Sequence, residues 1–242
     1  MTQFETNSDR LHSRSEVQLL RGANQRISSQ LNWLSGLVKA KSVSVATGPV
    51  TLGREEVTAL LEETAAKIFS IGHLHHRLAE NISPLDADLS DYVVNACSDL
   101  IASLDLQSRV IIVDRTTPNC LVSSEQAQII GLMMSEILMN AVNYAHPTGI
   151  TVQFTIECRN HTGGRLLLLV RDDGVGLPEG MDGNTAGGTG LKLIRSLAIS
   201  LGADLCIESD PLGLSFVIEF PSQAQTARQA RVIGANVRFF PK

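Results

Sequence analysis

The spacing of apolar residues changes character near residue 85, and this change constrains the fold more than any other feature of the chain. Before it, apolar side chains recur at helical intervals along two long stretches. Val17, Leu20, Ile27, Leu31, Leu34 and Val38 form a narrow stripe between about residues 15 and 42, and Val57, Leu60, Leu61, Ala65, Ile68, Ile71, Leu74 and Leu78 form a second between about 54 and 81. The segment between them, SVSVATGPVTLG, reads as a turn. Two long helices with a short connection pack antiparallel as a hairpin. A lone hairpin gives each stripe only one partner, so two hairpins joined in a homodimeric four-helix bundle are expected.

Beyond ISPLDADLSD the pattern alternates. It predicts a helix from Leu89 to Leu104 capped by Ser90, strands at Val110–Val113 and Cys120–Val122, a helix at Glu125–Ala145 and a strand at Thr151–Cys158. A Thr-Gly-Gly hairpin turn then leads to a strand at Arg165–Arg171, a glycine-rich loop, a helix at Thr189–Leu201, and strands at Asp204–Ser209 and Leu214–Phe220. This is an α/β sandwich with a mixed sheet and helices on one face. The fold class is therefore α+β, a helical hairpin followed by a sandwich. Residues 1–14 read as a polar tail, 15–85 as the hairpin, 86–221 as the sandwich and 222–242 as a C-terminal tail, frayed or used to dock a partner.

A net charge of −5, with 43% hydrophobic and 19% charged residues, provides no basic footprint for nucleic acid and no polybasic stretch for lipid. No apolar run is long enough to span a membrane, and MTQFETNSDRLHSR lacks the apolar centre of a signal peptide, so a cytoplasmic protein is expected. The cysteines Cys97, Cys120, Cys158 and Cys206 are widely spaced and read as reduced core thiols.

Three motifs carry chemistry. In SEILMNAVNYAHP, Glu136 and Asn140 are four residues apart and share a helix face with Asn143 near them, whereas Met133, Ile137, Leu138, Ala141 and Val142 look inward. A carboxamide oxygen is a hard ligand suited to Mg²⁺, and a carboxylate one turn away is placed to orient or deprotonate a nucleophile. In LLLLVRDDGVG, a buried-type strand runs into Asp172, Asp173, Gly174 and Gly176, where glycines allow close backbone approach and a carboxylate can accept from a base amino group. In AGGTGLKLIRSL, Gly187, Gly188 and Gly190 precede an amphipathic helix, an arrangement suited to anions.

In this order, the three motifs resemble the N box and two glycine boxes of the GHKL (Bergerat-fold) ATPases. The resemblance implies ATP and Mg²⁺ as cofactors: Asn140 as metal ligand, Asp172 as adenine reader, Gly174 and Gly176 along the purine, Gly188 and Gly190 near the phosphates, and LPEGMDGNTA as a short flexible lid. LLRGANQRISSQLNWLSGLV and KIFSIGHLHHRLAE resemble the dimerisation and phosphotransfer hairpin of the HWE-like (HisKA_2) subgroup of sensor histidine kinases, whose first helix reads NHRVKNxLQ. A response-regulator receiver domain is the partner this implies.

The resemblance breaks at the phospho-acceptor, where Gln25 stands in place of His and Ser28 and Ser29 follow. A carboxamide nitrogen has its lone pair delocalised and is no nucleophile at neutral pH. Gln25 lies about 200° around the helix from Ile27 and so faces solvent. Three readings remain open: a pseudokinase or phosphatase in which Gln25 or Ser29 orients water, a kinase using another acceptor such as His75, or an anti-sigma-like binding module in which ATP locks a conformation.

Overall fold

The computed structural model describes residues 87–224 continuously and thirteen separate positions between 35 and 65. The chain divides into two compact units, residues 1–68 and 69–242. In the first, Ser35, Val38, Lys39, Ser42 and Ala46 are helical, as are Arg54, Glu55, Val57, Thr58, Leu61, Thr64 and Ala65. Ala46 extends helix into the stretch predicted as a turn. The pairing of the hairpin, Gln25, His75 and the tail from residue 225 onward lie outside the described residues.

The second unit is built on a five-stranded sheet of order β2-β4-β5-β7-β6. Its strands are β2 (Val110–Asp114), β4 (Val152–His161), β5 (Arg165–Asp172), β6 (Asp204–Asp210) and β7 (Gly213–Pro221). β2 and β4 run parallel and the remaining pairs antiparallel, the mixed sheet that the sequence implied. Two short strands, β1 (Ala87–Asp88) and β3 (Leu121–Val122), pair separately. Three helices complete the unit: α1 (Leu89–Ser103), α2 (Ser124–Asn140) and α3 (Thr189–Leu201).

The period-2 pattern decides which face is covered. Phe154, Ile156 and Cys158 of β4, Leu166, Leu168 and Val170 of β5, and Phe216, Ile218 and Phe220 of β7 are all buried. Met133, Met134, Ile137 and Leu138 of α2 and Ile194 of α3 belong to the same core cluster. Their neighbours on the other sheet face, such as Leu167 and Leu169, are only half-buried.

Three local expectations need correction. Helix α1 is capped by Asp88, whose carboxylate accepts from Ser90 N (3.1 Å), Asn119 N (2.7 Å) and Cys120 N (3.2 Å). Ser90 itself is buried, and its hydroxyl donates to the Thr117 carbonyl. An acidic cap satisfies three donors where a serine satisfies one. The second correction concerns α2, which starts with a Ser123–Gln126 capping box but ends at Asn140 and gives way to a π turn over Ala141–Ala145. Arg109 donates to the Val142 carbonyl within that wider turn (2.7 Å). Third, Cys97, Cys120 and Cys158 are buried but Cys206 is exposed on β6, so one of the four thiols is not in the core. Burial pushes the Cys97 thiol up to about 12. The first residues of the predicted tail are also docked: Ser222 N donates to Gly164 O (3.0 Å) and Gln223 N to Gln126 Oε1 (3.0 Å).

Candidate nucleotide site

Strand β5 ends at Asp172, which is 6% exposed. Its Oδ1 accepts from Gly174 N (2.9 Å) and Leu214 N (3.2 Å). Burial raises its pKa above the usual carboxylate range, and the two backbone donors oppose the shift. The backbone around this carboxylate is crowded. At Gly213, with φ +141, a β-carbon would lie 1.9 Å from the Asp172 carbonyl oxygen. At Gly174 it would lie 2.4 Å from the Ala145 α-carbon. Only glycine fits either place. Gly176, with φ +71, packs its α-carbon towards Asp210 O and Ser209 Oγ, either of which a β-carbon would meet at 2.5 Å.

The glycine loop is fastened to the end of the α2 segment. Val175 N donates to Ala145 O (2.9 Å), joining the strand end to the π turn that follows Asn140. The second junction lies at the start of α3. A β-carbon on Gly190 would stand 3.2 Å from Asn140 Oδ1 and 3.3 Å from Glu136 Oε2, so the first turn of α3 rests against the polar end of α2. Glu136 is 1% exposed, not solvated as a glutamate on an amphipathic surface helix would be, and Asn140 is half-buried. Gly188 is the N-cap of α3, which has no side-chain cap, and beyond its chain neighbours no atom lies within 4 Å of where its β-carbon would be. Uncapped N–H groups at a helix start are suited to an anion.

The fold thus brings Glu136, Asn140 and Gly190 together and connects Asp172 to them through Gly174 and Ala145. Asn143 is exposed on the π turn. A carboxamide and a carboxylate beside a helix N-terminus suit a hard cation that also takes phosphate oxygens. Among the described residues no three His, Cys, Asp or Glu side chains form a metal cluster of their own.

The stretch expected as a flexible lid is tethered along its C-terminal part. Asn184 Nδ2 donates to Ile207 O (2.9 Å) and Ile207 N to Asn184 Oδ1 (2.8 Å), extending the edge strand β6 with a side chain. Arg195 of α3 donates to the carbonyls of Gly183 (2.6 Å) and Ala186 (2.7 Å). Sequence reasoning missed Asn184, Arg195, His146 and Gly213. Only Gly213 left a signal, in the Asp-Pro-Leu-Gly turn; the others are recognised by what they touch.

Parts of the chain are similar to known proteins. Residues 125–224 match the family described as histidine kinase-, DNA gyrase B-, and HSP90-like ATPase. The chain is 33% identical over 101 residues to blue-light-activated histidine kinase 2 of Erythrobacter litoralis, covering 42% of this chain and 29% of that protein. It is 24% identical over 182 residues to the sensor histidine kinase PdtaS of Mycobacterium tuberculosis, covering 74% of this chain and 34% of that one. The chain therefore spans about a third of the length of these relatives. The histidine kinase domain of the Erythrobacter litoralis EL346 blue-light activated kinase superposes with a TM-score of 0.59 at 22% identity, over 81% of this chain and 87% of that one. Among the described residues no helix is long and apolar enough to cross a membrane. Residues 125–224 are thus similar to the histidine kinase-, DNA gyrase B-, and HSP90-like ATPase family, in a chain that resembles parts of longer sensor histidine kinases.

Proposed function

We propose that this chain binds Mg·ATP between α2, the end of β5 and the start of α3, and acts in two-component signalling on a response-regulator receiver domain. The observation that carries this reading is the convergence of Gly190 on Asn140 and Glu136, linked through Ala145 to a buried Asp172. In this reading Asp172 accepts from the adenine amino group, and Asn140 would hold a Mg²⁺ ion, which would supply positive charge to offset that of the triphosphate. The uncapped start of α3 receives phosphate oxygens through backbone N–H groups.

The N-terminal segment, residues 15–85, serves as a dimerising hairpin, which leaves Gln25 where a histidine kinase presents its acceptor. The chain then works without autophosphorylation, as a regulator or as a phosphatase towards the receiver. Glu136 favours a second reading. A buried carboxylate next to Gly190 is placed to serve as a general base, and this suits an active kinase with a different acceptor such as His75. Incubation with γ-labelled ATP, with and without a phosphorylated receiver, separates the two. The first reading expects no acid-labile label on the protein and faster loss of phosphate from the receiver. Label that disappears in His75→Ala establishes the second.

A further inference from the structure

Two residues inside the motifs have no part in the reading above, and the fold places them in contact. His146 Nε2–H donates to Asp173 Oδ1 at 2.9 Å. His146 is the residue that follows the π turn, and Asp173 is the residue that follows Asp172. The same Asp173 oxygen accepts from Gln153 N at 2.9 Å. The β4–β5 ladder stops at the pair Phe154 and Asp172, so the Asp173 carboxylate takes the next N–H of β4 after the backbone has turned away.

The pair is not a stability device of any size. The His146 side chain is 16% exposed and that of Asp173 40%, and contacts screened to that degree contribute little to stability. Its value is directional. Asp172 directs its carboxyl group through a backbone that must leave the sheet at once, and its two acceptor bonds hold only Oδ1. Immediately beyond it, Asp173 is held from β4 by Gln153 N and from the end of the α2 segment by His146. The bond from Val175 N to Ala145 O holds the chain two residues later.

We propose that His146 is a positioning residue for purine recognition: by holding Asp173 it fixes the end of β5 and so aims the Asp172 carboxylate at the base. The proposal rests on the reading of Asp172 as the base contact. Loss of the clamp lets Asp172 rotate away from the purine edge, while the helix start and Asn140 continue to hold the phosphates. The loss therefore falls on base selectivity and not on triphosphate binding as such.

Calorimetric titration of the full chain with ATP and with GTP, both with Mg²⁺, tests this. For His146→Ala we expect ATP affinity to fall about tenfold and GTP affinity to change less than about twofold, so that selectivity collapses. A glutamine amide reaches the position of Nε2 and an asparagine amide does not. His146→Gln should restore selectivity to within about twofold of wild type, and His146→Asn should behave like the alanine variant. This pair of polar variants carries the test if His146→Ala does not fold. Unchanged selectivity in His146→Asn, equal losses for ATP and GTP, or a folded His146→Gln that behaves like His146→Asn each overturn the proposal. Asp172→Asn is titrated in parallel: selectivity that survives in that variant shows that the base-contact reading itself has failed.

Discussion

The two ends of the candidate site are built in opposite ways. At the strand end, Asp172 is buried, its Oδ1 is already bonded to two N–H groups, and Gly213 and Gly174 are so close to neighbouring backbone that no β-carbon fits. At the helix end, Gly188 opens onto empty space and α3 begins without a side-chain cap. The first end is internally bonded and sterically closed, which suits the base recognition proposed for it. The second leaves N–H groups without a side-chain cap, an arrangement suited to the anion proposed there.

The largest expected effect tests the finished end. Gly213→Ala should destabilise the domain by at least about 2 kcal/mol, because it adds both an unfavourable φ and an overlap with Asp172 O. Chemical denaturation checks this, and a loss under about 0.5 kcal/mol would show that the β6–β7 turn yields easily.

Asp172→Asn comes next and should separate binding from stability. The asparagine Oδ1 still accepts from Gly174 and Leu214, so the fold remains, but ATP affinity should fall at least tenfold, about 1.4 kcal/mol. Burial raises the pKa of Asp172 in the folded state, so the folded protein holds this proton more tightly than the unfolded chain. The contribution of this group to stability is therefore greatest when it is protonated and declines as pH rises through its folded value. Without ligand, the asparagine variant should be at least as stable as wild type at pH 7, and the gap should close as pH falls to the ordinary carboxylate range. Thermal melts across pH measure it, and a variant less stable at pH 7 would break the argument.

Asn140→Asp addresses the junction between the ends. Mg·ATP binding should weaken several-fold while adenosine binding is retained, and equal loss of both would place Asn140 away from the phosphates. The smallest effect is expected at the open end. Gly188→Ala should change stability without ligand by no more than about 0.5 kcal/mol, since its φ of −70 is ordinary and its surroundings are empty. A loss comparable to that of Gly213→Ala would abolish the contrast between the ends.

The contrast also explains what was legible beforehand. Helix α3 falls at Thr189–Leu201, as its glycine approach and apolar spacing predict, and the strands of the sheet lie within a few residues of the alternating pattern. Local patterns fail where the partner is remote. Ser90 looked like a cap, but Asp88 serves, because Asn119 and Cys120 bring it two further donors. The helix through Ala145 looked continuous, but it widens after Asn140, where Arg109 reaches the Val142 carbonyl. The lid looked free because it carries two glycines and several polar residues, yet Asn184 pairs with the backbone of a strand 23 positions later.

Periodicity, the strand-to-glycine transition at Asp172 and the glycine run before α3 are properties of neighbouring residues, so the sequence by itself determined the mixed α/β layers and three of the points that meet at the site. Which glycines are indispensable, which carboxylate is buried and what His146 touches are decided by residues tens of positions apart. Tertiary structure alone decides these, because steric exclusion, desolvation and hydrogen bonding depend on distance in space, which the order of residues does not record.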